Sequence, residues 1–70
     1  MEMIPVDSSN IKAIGYDPDQ ARLEIEFKSG TAYEYFDVPQ HIYDELLIAE
    51  SKGKFASSNI YKVFGQQRIR

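Results

Sequence analysis

The chain has 70 residues, a formal net charge of −3, no cysteine and a single histidine, His41. Disulfides and a tetrahedral Cys/His zinc site are thereby excluded, and one domain of this size, burying only about 60% of its unfolded surface, rests on packing and aromatic bulk. The opening MEMIPVDSSN lacks the basic and apolar regions of a signal peptide and no apolar run is long enough to cross a bilayer, so a cytoplasmic protein with no membrane partner, metal or cofactor is the expectation.

Residues 1–70 read as one α+β domain: a three-stranded antiparallel meander followed by two helices packed on one sheet face. Residues 1–9 read as a loosely held arm, with Pro5, Ser8 and Ser9 as turn or capping material. NIKAIGYD is the first strand, with Ile14 and Tyr16 on one face, and DPDQ is a turn in which Pro18 presets the second position. In ARLEIEFK, Ala21, Leu23, Ile25 and Phe27 alternate with Arg22, Glu24, Glu26 and Lys28, the pattern of a half-buried strand.

The third strand, TAYEYF, raises a choice of register. A three-residue loop, Lys28-Ser29-Gly30, pairs Phe27 with Thr31, Ile25 with Tyr33 and Leu23 with Tyr35, which puts both tyrosines on the buried face. A two-residue loop would pair Ile25 with Glu34 and place a carboxylate among apolar side chains. A one-residue slip exchanges every side chain between faces, so the longer loop is the reasonable one.

Val38-Pro39 opens a helix, with Pro39 at its first position and Asp37 favourably charged at its N-terminus. Ile42, Tyr43, Leu46, Leu47 and Ala49 fall at helical spacing, Ile48 falls outside the stripe, and Gly53 reads as the stop. Ser57 or Ser58 caps a second helix that turns Ile60, Val63 and Phe64 inward, Gly65 closes it, and residues 66–70 form a tail.

Charge is uneven along the chain. Residues 1–50 hold Lys12, Arg22 and Lys28 against all eleven acids, a balance of −8, whereas Lys52, Lys54, Lys62, Arg68 and Arg70 follow with no acid, a balance of +5. Such asymmetry points to an anionic partner for the basic part, or to two halves that attract each other across the fold.

The ordered series VDSSNIKAIGYD, LEIEFKSGTAYEYFDVPQHIYDELLIAESKGKF and NIYKVF resembles the KTSC domain, from about Val6 to Phe64. The family's Tyr-any-Tyr motif falls on Tyr33 and Tyr35. Further matching positions include Ser8, Ser9, Ile11, Gly15, Tyr16, Asp17, Phe27, Gly30, Val38, Pro39, Leu46, Ser51, Gly53 and Phe55, while Ala56-Ser57 departs from the polar residue expected after Phe55. The family is named for the C-terminus of certain lysyl-tRNA synthetases and also occurs as small stand-alone bacterial proteins. No activity is established for it, and what the resemblance implies about RNA rests on association with the synthetases.

A nucleic-acid surface would use Lys52, Lys54, Lys62, Arg68 and Arg70 for phosphates, with Phe55 and Tyr61 interleaved as stacking rings. Tyr33 and Tyr35 share a face with Leu23, Ile25 and Phe27 and belong to the core, their hydroxyls at the rim. The opposite sheet face, with Arg22, Glu24, Glu26 and Glu34, is acidic and repels phosphate. Ile11, Ala13, Ala32 and Phe36 are expected as apolar spots on that face, which would suit a protein partner or a homodimer.

Two enzyme readings are weaker. Asp19, Glu26 and Lys28 echo the carboxylate-carboxylate-lysine pattern of metal-dependent nucleases, but at short spacing and with one carboxylate in a tight turn. Ser8-Ser9 with His41 supplies a nucleophile and base only if the fold brings them together. The expectation is a non-enzymatic binding module, for RNA first and for a protein partner as the alternative.

Overall fold

In the computed structural model, which describes residues 1–70, the chain runs β1 (Ile4–Pro5), β2 (Ile11–Asp17), β3 (Arg22–Phe27), β4 (Ala32–Tyr35), α1 (Gln40–Ile48), α2 (Lys52–Asn59) and β5 (Gln66–Arg68). The fold is α+β, with all five strands in one antiparallel sheet whose spatial order is the chain order. The expected three-strand meander is its centre. Both segments expected as arm and tail contribute short edge strands instead. Pro5 is tolerated in β1 because an edge strand leaves one row of N–H groups unused.

The hairpin joining β3 and β4 has the expected register. Ile25 stands opposite Tyr33 and Leu23 opposite Tyr35, the Phe27 amide donates to the Thr31 carbonyl (2.8 Å), and Gly30 takes φ +98°, a conformation that favours glycine. At the other turn the alternation expected from Ala21 starts one residue later. Ala21 has φ +53°, and the Asp17 carboxylate accepts the Asp19 amide at 3.0 Å, which extends the turn by one residue.

Strand β2 carries a bulge between Ile11 and Ala13. The extra residue turns Ile11 to the same side as Ile14, so Ile11 is fully buried in the core rather than an apolar spot on the open face. Ala13 and Ala32 flank Glu26 across the sheet, and both are buried. The core cluster joins Ile11, Ile14, Leu23, Ile25 and Tyr35 from the sheet to Val38, Leu46, Ala56 and Ile60. Each fully buried aliphatic side chain contributes about 1.5–3 kcal/mol.

The helices cover one sheet face with boundaries that differ from expectation. Pro39 is extended and precedes α1. Leu46 is buried, Ile42, Tyr43 and Leu47 pack beside the core, and Ile48 is 82% exposed, as the spacing predicts. The helix stops at Ile48 because Ala49 turns extended. Ser51 then caps α2 by accepting the Lys54 amide at 3.3 Å, so Gly53 lies in the first turn of α2 and Ser57 and Ser58 lie inside it. Gly53 is explained by packing: a Cβ there would stand 3.0 Å from Asn10 Oδ1. Ala56, where the resemblance leads one to expect a polar residue, is fully buried. Val63, expected inward, is 62% exposed, because the helix has ended before it.

Candidate nucleic-acid interface

The five C-terminal cations occupy different settings. The Lys52 ammonium donates to the Ala49 carbonyl (3.0 Å) and closes the end of α1. Lys54, in α2, and Lys62, in the turn beyond it, are exposed. Arg68 is exposed on β5 opposite Tyr33, its Nε donating to the Arg70 carbonyl at 3.0 Å. Arg70 reaches Glu24, 3.0 Å away on the open sheet face. The ion pairs of the molecule are this one and Arg22–Glu34 at 3.4 Å. Arg70 is thus already committed, and Lys54, Lys62 and Arg68 have no carboxylate partner.

The aromatic residues form a closed group on the helix-covered side. Phe27 meets Tyr33 edge-on at 6.3 Å, Tyr33 stacks with Tyr35 at 6.4 Å, Tyr35 with Tyr61 at 6.1 Å, and Tyr61 returns to Phe27 at 6.1 Å. Tyr35 is only 2% exposed. Burial, with Tyr61 and Tyr33 beside it, pushes its hydroxyl far above the ordinary value of 10.0. Burial also raises the Tyr61 hydroxyl, whose oxygen is enclosed without a hydrogen-bond partner. Tyr35 therefore belongs to the core, and Tyr33 packs against it, half-buried at the edge beside Arg68. Tyr61 and Phe55 are half-buried and pack against the core as well, and the Tyr61 ring lies between those of Tyr35 and Phe27.

A second aromatic pair fixes the start of α1. Tyr16 stacks on Tyr43 at 5.0 Å and 13°, and its hydroxyl donates to the Val38 carbonyl. Burial, with Asp44 and Asp17 nearby, raises the Tyr16 hydroxyl, and burial with Asp44 and Glu2 raises that of Tyr43.

The open face is acidic where expected. Glu24 stands directly opposite Glu34, and Arg22 lies over the Phe36 ring at 5.2 Å. The N-terminal residues also cross this face: a Cβ on Gly15 would lie 2.7 Å from Met3 Sδ and 2.9 Å from the Glu2 carbonyl oxygen.

Several residues of the enzyme readings shape turns or lie exposed. The Ser8 hydroxyl donates to Asn10 Oδ1 and accepts the Ile11 amide, each at 3.3 Å, and so shapes the turn into β2. His41 is exposed in the first turn of α1. Asp19 sits exposed in its turn while Glu26 lies within β3, and no three acidic or histidine side chains gather where a metal ion could be held.

Two surface depressions flank the Ser8–Asn10 turn. One, of about 280 Å³, is lined by Asp7, Ser8, Ser9, Glu50, Ser51 and Lys52. The other, of about 450 Å³, is lined by Ser9, Asn10, Phe27, Lys28, Ser29 and Thr31. Sequence reasoning missed both, because each is assembled from separate turns whose serines and asparagine read as turn chemistry alone.

Residues 7–64 match the KTSC domain. The chain is 47% identical over 55 residues to a protein of Tsukamurella paurometabola, covering 79% of this chain and 82% of that protein. It is 43% identical to a lysine–tRNA ligase of Nostoc sp. over 96% of this chain, a stretch that is 12% of the ligase. The crystal structure of a KTSC domain protein from Yersinia pestis superposes with a TM-score of 0.95 at 39% identity, covering 99% of this chain and 97% of that one. The family match and the shared fold agree, and the chain belongs to the KTSC domain family.

Proposed function

We propose that the domain is a non-enzymatic module that binds RNA through phosphate contacts from Lys54, Lys62 and Arg68, with the half-exposed Tyr33 ring beside Arg68. The observation that carries this reading is the state of the charges. Residues 51–70 hold five cations and no acid, yet a single ion pair, Arg70–Glu24, joins them to the acidic remainder. Three cations thus keep their charge toward solvent, the arrangement that attracts a phosphate backbone. Lys52 contributes less, since its ammonium is held at the end of α1. The likeness to part of a lysine–tRNA ligase supports the same reading by association with tRNA.

An amide NMR titration of the labelled domain with short single- and double-stranded RNA, at low and moderate salt, tests it. Shifts are expected around Lys54, Lys62 and Arg68. With three phosphates neutralised on a single strand, log K should fall against log salt with a slope of about −2. The double change Lys54→Glu and Lys62→Glu should abolish the response without unfolding the chain. Silence at both salts would overturn the RNA reading and leave a protein-binding or self-associating role as the one to pursue.

A further inference from the structure

The larger depression has a wall of unusual composition for this chain. All eleven acids lie in the first fifty residues, as do all six residues that line it, yet none of the six is acidic: Ser9, Asn10, Phe27, Lys28, Ser29 and Thr31. Its polar side chains supply several hydrogen-bond donors and no negative charge. Lys28 offers three N–H groups and no acceptor. Asn10 Oδ1 already takes the Ser8 hydroxyl at 3.3 Å, which leaves its amide NH₂. The Ser29 and Thr31 hydroxyls lie 3.0 Å apart and share one hydrogen bond, so one of their two protons remains to give. Ser9 adds another hydroxyl.

The wall is also pre-formed. The Lys28 amide donates to the Asn10 carbonyl (2.9 Å), tying the hairpin loop to the turn before β2, and the Phe27 amide donates to the Thr31 carbonyl (2.8 Å). The one apolar contributor, Phe27, is braced by Tyr33 and Tyr61 at 6.3 and 6.1 Å. Donors beside an aromatic ring, in a depression of about 450 Å³, suit an anion carried on a flat, weakly polar group. The volume falls within the range of about 300–1,000 Å³ that small-molecule sites occupy.

We propose that this depression holds one nucleotide unit, its phosphate at Lys28 and the Ser29/Thr31 hydroxyls and its base against Phe27. Whether that unit belongs to a longer strand rests on the RNA reading above. Phe27 touches Tyr33, and Tyr33 stands opposite Arg68, so a strand held at Arg68 passes within reach of the pocket.

The test is an amide NMR titration of the intact chain with AMP, UMP, adenosine, ribose 5-phosphate and inorganic phosphate separately, followed by short single-stranded RNA. The nucleotides should move the amides of Ser9, Asn10 and Lys28 through Thr31 and saturate. Adenosine and the two base-free phosphates should bind more weakly. Lys28→Glu should weaken nucleotide binding about tenfold or more, whereas the exposed charge control Lys12→Glu should leave it unchanged. Nucleotide binding in the pocket with no response to RNA would uphold the pocket and remove the RNA reading alone. RNA shifts at Lys54, Lys62 and Arg68 with a silent pocket, for RNA and mononucleotides alike, would overturn the pocket and keep that reading. Equal responses to AMP and inorganic phosphate would overturn it too, leaving only an anion site.

Discussion

Glu24 and Glu34 face each other directly across β3 and β4, and each is matched by its own arginine, Arg70 at 3.0 Å and Arg22 at 3.4 Å. Like charges directly opposite in a sheet destabilise the pair, so the arginines offset a repulsion built into the strand register. Arg70→Ala leaves the two carboxylates opposed with one counter-charge. It should lower stability by about 0.5–1 kcal/mol in low salt, read from the urea midpoint, and the loss should shrink as salt is added. A change at Arg70 is therefore a stability variant, unlike changes at Lys54 or Lys62.

The Tyr61 hydroxyl is enclosed without a partner, and an unsatisfied buried polar group costs about 1–3 kcal/mol. Tyr61→Phe keeps the ring between Tyr35 and Phe27 and removes that group. The expected outcome is a gain of roughly 1 kcal/mol and a rise in the thermal midpoint. A loss of stability would mean that the hydroxyl has a partner in solution.

Gly15 is the residue over which the N-terminus packs. Gly15→Ala would drive a Cβ into Met3 Sδ and the Glu2 backbone, and the first strand must move. A loss of about 1–3 kcal/mol is expected, with faster hydrogen exchange at the Val6 amide, which donates to the Lys12 carbonyl. In a chain shortened by residues 1–3 the same substitution should be close to neutral.

The tyrosine hydroxyls are expected to set the alkaline limit of the fold. Those of Tyr16, Tyr35, Tyr43 and Tyr61 are all raised above 10.0, chiefly by burial. An acid with a raised folded value keeps its proton in the native state after the unfolded chain has lost it. The stabilisation is therefore complete below about pH 10 and is lost as pH climbs from there toward the folded values. Tyrosinate absorbance should lag behind that of the free side chain and then rise cooperatively with loss of helix signal. Independent titration of these four tyrosines near pH 10 would contradict this.

The central sheet was legible because its alternation is long. Four apolar side chains at every second position and one glycine-containing loop admit a single sensible register, and Tyr33 and Tyr35 followed onto the buried face. Strands of two or three residues carry no alternation, so β1 and β5 read as arm and tail. The bulge at Ile11 breaks the period by one residue, which a strict two-residue count places on the wrong face. Gly53 looked like a helix stop because its reason, the approach of Asn10, lies more than forty positions away. Separation along the chain hid the depressions as well. As for the basic segment, its charge was plain in the sequence, but only the fold shows that Arg70 is already paired and that Tyr61 is packed inward.

Strands that lie in space as they lie in sequence make most of this sheet a matter of neighbours finding neighbours. The ladder from β1 to β4 closes through short turns. The β4–β5 seam alone waits for both helices, because Tyr33 meets Arg68 across them. Low contact order favours rapid folding and long closures come late. The seam with the longest closure is thus expected to form late, and it is the one that holds Arg68 in place.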